Sequence, residues 1–100
     1  QDILSAKNLS ELPDDFKLYN NFPNPFNPST NIRFGLSSRS EVRLEIYNIL
    51  GQLVDRKLLG EFNPGIYTVS WNPQNLSGGT YFYTLRSSSK VLTGKMIYLK

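Results

Sequence analysis

Beyond residue 30 the chain alternates apolar and polar residues with a period of two, the signature of strands whose side chains point in turn to a core and to solvent. Asn31 to Leu36 sets Ile32, Phe34 and Leu36 on one face. Glu41 to Tyr47 turns Val42, Leu44 and Ile46 inward and Glu41, Arg43, Glu45 and Tyr47 outward, which predicts a half-buried antiparallel strand with a charge ladder on its solvent face. Asn48-Ile49-Leu50-Gly51 reads as a turn, with Gly51 suited to a positive φ, and Gln52 to Leu59 as the returning strand. A second turn is expected over Gly60 to Gly65, around Asn63-Pro64-Gly65. Tyr67, Val69 and Trp71 then alternate with Thr68 and Ser70, and Trp71 is expected as a core anchor. After the polar loop Asn72 to Gly79, Thr80 to Arg86 carries aromatics on both faces, as suits a central strand. Val91 to Lys100 closes the chain as a strand, Met96 and Tyr98 opposing Ile97 and Leu99.

The first residues lack this order. From Gln1 to about Asn20 the apolar positions keep no period and Pro13-Asp14-Asp15 interrupts them, so residues 1–20 read as a partly disordered linker with room for a short helical turn around Ser5 to Glu11. Between linker and strands lies Asn21 to Thr30, where Pro23, Pro25 and Pro28 fix φ and withhold backbone donors. This stretch is excluded from a central strand. It is expected to form a stiff strap whose aromatics, Phe22 and Phe26, dock on the edge of the sheets.

About seven strands spaced by turn signals every 8–12 residues predict an all-β fold, an antiparallel immunoglobulin-like β-sandwich over residues 21–100, preceded by the irregular linker. A length of 100 residues suits one such domain. The terminal strand needs a neighbour for its backbone groups, and exposed edges leave weak self-association open.

Composition removes most chemistry. Histidine and cysteine are both absent, which excludes the commonest general base, thiolate metal ligands and disulfides. The eight carboxylates form no convergent set, Asp14-Asp15 lacks the spacing of a calcium loop, and Gly78-Gly79 has no following helix with which to cradle a phosphate. Neither an enzyme nor a cofactor is indicated. The net charge of +3 comes from scattered cations rather than a basic run, so no nucleic-acid partner is expected. No apolar stretch is long enough to span a bilayer as a helix, and a secreted parent would carry its export signal upstream. Tyr47, Tyr67, Trp71, Tyr81, Phe82, Tyr83 and Tyr98 offer stacking surface for a carbohydrate, although alternation sends most of them inward.

The run Phe22-Pro23-Asn24-Pro25-Phe26-Asn27-Pro28-Ser29-Thr30-Asn31-Ile32-Arg33-Phe34 resembles the opening of the type A C-terminal sorting domains of type IX secretion. Later blocks fall in the same order: Ile46 to Val54, Gly65 to Asn72, Ser77 to Leu85, and Lys95-Met96-Ile97-Tyr98-Leu99-Lys100. Phe22 stands where the family often has Tyr, and Pro73-Gln74 replaces a step that commonly contains glycine. The strand pattern is also similar to an immunoglobulin-like domain of flagellar hook-capping proteins.

The resemblance implies a secretion signal that targets its parent to the type IX translocon for outer-membrane export, followed by surface attachment or release. The implied partners are the outer-membrane translocon, its shuttle proteins and a sortase-like peptidase that cuts in the upstream linker. The implied itinerary is the periplasm in transit, then the cell surface or the extracellular space. Positions matching the family motifs, and so expected to be recognised, are Pro23, Pro25, Phe26, Pro28, Gly51, Gly79, Tyr81, Lys95, Met96 and Lys100. The alternative is a non-catalytic adhesive or carbohydrate-binding immunoglobulin-like module.

Overall fold

A computed structural model of the chain describes residues 15–88 and 90–100. The expectations for residues 1–14, including the helical turn and Asp14, lie outside the described residues. Seven strands follow one another: β1 (Lys17–Leu18), β2 (Thr30–Leu36), β3 (Ser40–Asn48), β4 (Leu53–Phe62), β5 (Gly65–Trp71), β6 (Gly79–Arg86) and β7 (Val91–Tyr98). They form a three-stranded sheet, β1-β2-β5, and a four-stranded sheet, β4-β3-β6-β7, with every strand pair antiparallel. This is the antiparallel sandwich that the alternation predicts.

The inward positions meet as expected. Ile32, Phe34 and Leu36 of β2 share one buried cluster with Val42, Leu44 and Ile46 of β3, Tyr81, Tyr83 and Leu85 of β6, and Met96 and Tyr98 of β7. Trp71 is buried at the end of β5, and its indole N–H donates to Oδ2 of Asp55 at 2.8 Å. That bond satisfies the one polar atom of the largest core side chain and ties the two sheets together.

Four local expectations are corrected. The linker ends earlier than Asn20: Phe16 is buried, and Lys17 and Leu18 pair with Gly35 and Phe34 of β2. Phe16 in the core, Leu18 packed against it and the pairing to β2, continued by the Tyr19 N–H to the Arg33 carbonyl, hold this segment, and none of these long-range partners shows in the local periodicity. The turn expected over Gly60 to Gly65 is shorter, because β4 continues through Phe62. Register shifts opposite Val42/Arg43 and Ile46/Tyr47 bend β4 and lengthen it, and Gly60, with φ of 106°, lies beside the first of them.

The third correction concerns Phe22, which is 76% exposed rather than docked. The fourth is Glu45, outward by alternation but with a side chain only 4% exposed. It sits on the solvent face of β3, a strand flanked by β4 and β6, and is covered by long side chains from both neighbours. A charge ladder is therefore not what forms there.

Candidate recognition surface

The strap is held at both ends by backbone pairing. Phe22 exchanges N–H···O bonds with Asn31 of β2, at 3.0 and 2.9 Å, while Phe26 donates to the carbonyl of Ile97 at 3.0 Å and accepts from the N–H of Leu99 at 2.9 Å. Between these anchors the Asn24 side chain behaves like a short piece of strand. Its amide accepts from the Ile97 N–H at 3.0 Å and donates to the Lys95 carbonyl at 3.4 Å. The strap thus runs from the edge of one sheet to the edge of the other and occupies the outer side of β7 from Lys95 to Leu99.

Proline fits here for a physical reason. Pro23, Pro25 and Pro28 are exposed, and each offers no N–H to an incoming strand, so the segment that covers the edge does not create a new one. Thr30 Oγ1 donates to the Pro23 carbonyl at 2.8 Å and accepts from Asn21 Nδ2 at 3.0 Å, which fixes the start of the strap. The Asn21 N–H donates to the Tyr83 hydroxyl, and that hydroxyl donates to the Tyr19 carbonyl, both at 3.1 Å. Burial raises the Tyr83 phenol above its usual range, with the Asn21 N–H acting in the opposite sense, so the group stays protonated and able to donate.

Under the strap lies an aromatic box. The Phe26 ring stacks on Tyr98 with centroids 5.2 Å apart and tilts against Trp71 at 5.9 Å, and Trp71 meets Tyr81 edge-on at 6.1 Å. The Tyr81 hydroxyl donates to the Ser77 carbonyl at 2.6 Å and anchors the loop before β6. At the same end, the β3–β4 turn is closed by Asn48, whose Oδ1 accepts from the N–H of Leu50 and Gln52, with Gly51 at φ of 83° as expected. That turn holds Ile49 and Leu50 in solvent.

The motif positions separate into two groups. Phe26, Tyr81 and Met96 are buried and shape the end of the sandwich from inside, while Pro23, Pro25, Pro28, Gly51, Gly79, Lys95 and Lys100 lie on its surface. Gly78 packs against the backbone of Tyr98 and Lys100, which brings the loop before β6 to the chain's last residues. Periodicity overlooked Asn24, since nothing local marks an asparagine between two prolines as the partner of a strand 73 residues away.

Of the aromatics considered for a carbohydrate platform, Trp71, Tyr81, Tyr83 and Tyr98 are buried, and the strongly exposed ring, Phe22, was not among them. Of the acidic pair considered for calcium, Asp15 is engaged by the Lys90 ammonium, which holds its carboxyl below the ordinary range.

Two antiparallel sheets packed on one core, with an aromatic box closed by a proline strap, define an all-β sandwich of the immunoglobulin-like class. The chain belongs to the secretion system C-terminal sorting domain family, whose model matches residues 20–99. No curated protein matches it. Domains of this family are the C-terminal sorting signals of type IX secretion and are not catalytic; they direct the proteins that carry them to the cell surface or the extracellular space. The secretion machinery recognises them.

Proposed function

We propose that the machinery reads the strap and the closing strand as one continuous surface. Pro23, Pro25 and Pro28 form its rim, Lys95 and Lys100 supply its charge, and Phe26 and Met96 hold it in place from below. Gly51, Gly79 and Tyr81 set the shape of the turns around it. The observation that carries this reading is the stitching of Asn24 and Phe26 to Lys95, Ile97 and Leu99, which makes two motif segments far apart in sequence a single rigid feature. A preformed surface of this kind costs the receptor little ordering on binding.

The readers are the outer-membrane translocon and its shuttle proteins, met in the periplasm, and a sortase-like peptidase removes the domain afterwards. Cleavage falls upstream of Phe16, because a peptidase needs free, extended backbone and Phe16 to Leu18 are packed and paired. The sorting unit accordingly begins near Asp15 rather than at Asn21.

The test fuses residues 1–100 behind a periplasmic reporter in a host with type IX secretion. The intact fusion is expected at the cell surface or in the medium. A fusion lacking Lys95 to Lys100, and one carrying Asn24→Ala with Lys95→Gln, are expected to remain in the periplasm. Export of the truncated and substituted fusions at the intact level sinks the assignment of the surface, and retention of the intact fusion sinks the sorting role of these residues.

A further inference from the structure

At the opposite end of the four-stranded sheet, away from the strap, the solvent face carries more positive charge than the fold uses. Glu45 gathers three guanidiniums: Arg86 Nε at 2.7 Å on one oxygen, and Arg56 Nε at 3.1 Å and Arg43 Nε at 3.5 Å on the other. The Tyr47 hydroxyl adds a fourth donor at 3.0 Å. Glu41 shares this face, so two carboxylates meet three guanidiniums there and leave a surplus of one positive charge.

Arg43 and Arg86 are directly opposed across β3 and β6. Like charges in that relation repel unless an anion sits between or above them. Glu45, two residues along the same face of β3, offsets part of this. On its other side the pair lines a groove of about 480 Å³ with Leu58 and Ser88, where Glu41 is the one carboxylate on the wall. The cross-strand row that contains both arginines reads Leu58, Arg43, Arg86, Val91; Leu58 lines the groove, Val91 lies beside it on β7, and both apolar side chains are exposed.

The geometry points to a binding site for a phosphate group, with Arg43 and Arg86 as the two forks that hold it and the Ser88 hydroxyl as a further donor. Paired guanidiniums suit the tetrahedral, multiply accepting oxygens of phosphate better than a lone carboxylate, and Glu45 keeps the forks oriented. The apolar residues at each end of the row assign the source: the headgroup phosphate of an anionic lipid surface, against which Leu58 and Val91 also bury area.

The test uses the 100-residue chain. Backbone amide shifts are followed during titration with inorganic phosphate, and co-sedimentation is measured with phosphatidylcholine vesicles containing or lacking phosphatidylglycerol. Binding to the anionic vesicles alone is expected, with saturable shifts in phosphate centred on Arg43, Arg86 and Ser88. Arg43→Gln is expected to weaken both by about tenfold while leaving the thermal midpoint unchanged, since Arg43 is the most loosely held of the three guanidiniums. Lys57→Gln, which removes the same charge from β4, is expected to have little effect on either. Saturation by phosphate without vesicle binding overturns the lipid assignment. Absence of saturable shifts, or equal losses in Arg43→Gln and Lys57→Gln, overturns the site.

Discussion

The Tyr83 ring occupies the space that a side chain at residue 94 would fill: a methyl group on Gly94 would overlap the ring carbons and the hydroxyl oxygen of Tyr83. The two residues face each other across β6 and β7. Gly94 has no left-handed backbone angle, so its reason for being glycine is room. Across that room the Tyr83 hydroxyl reaches Tyr19 and Asn21 and ties the entering chain to the far sheet. Gly94→Ala is therefore expected to cost about 1–3 kcal/mol by overpacking, read from the midpoint of urea unfolding. A near-neutral result would mean that the ring swings aside without loss.

Phe26 closes the aromatic box and is 1% exposed. Phe26→Ala is expected to destabilise the domain by about 3–5 kcal/mol. It should also release the strap, so the amides of Ile97 and Leu99 should lose hydrogen-exchange protection more than those of the central strand β3. Uniform loss of protection would contradict a strap that opens as a separate unit.

Asn24→Ala removes two hydrogen bonds from an exposed edge and is expected to cost no more than about 1 kcal/mol. Its larger effect should be on association. With the Ile97 N–H and the Lys95 carbonyl uncovered, β7 offers a longer template for edge pairing. Sedimentation velocity is expected to show concentration-dependent self-association in the variant and less of it in the parent; identical profiles would show that the prolines alone protect the edge.

The Arg86 guanidinium, with help from Tyr47, Arg43 and its own attraction, holds the Glu45 carboxyl below the usual carboxylate range despite burial. The native group thus keeps its charge to lower pH than it does in the unfolded chain. Its contribution is complete above the ordinary glutamate value of about 4.3 and is lost as the pH falls through the native value. Glu45→Gln is expected to cost about 2 kcal/mol at neutral pH and to flatten the acid limb of a stability-against-pH curve measured by denaturant titration. An unchanged acid limb would place that pH dependence elsewhere.

Much of this fold is legible along the chain. Val42, Leu44 and Ile46 declare the inner face of β3, and Asn48 to Gly51 declare its turn, because alternation and turn chemistry are local properties of a few consecutive residues. The prolines at 23, 25 and 28 announce an extended element outside the sheet interior. The candidate surface is half legible: its two segments are marked by their composition, but their contact is not.

The sequence by itself determined where β2 to β7 lie to within a few residues and which apolar side chains of β2, β3, β6 and β7 face the core. Only the tertiary structure decided what the strands lie beside. Arg56 and Arg86 reach Glu45 from positions 11 and 41 residues away, and Asn24 reaches Ile97 across 73. The period of a strand specifies the direction of a side chain but not its neighbour. Neighbours follow from register and sheet order, which are settled when two sheets bury a common core.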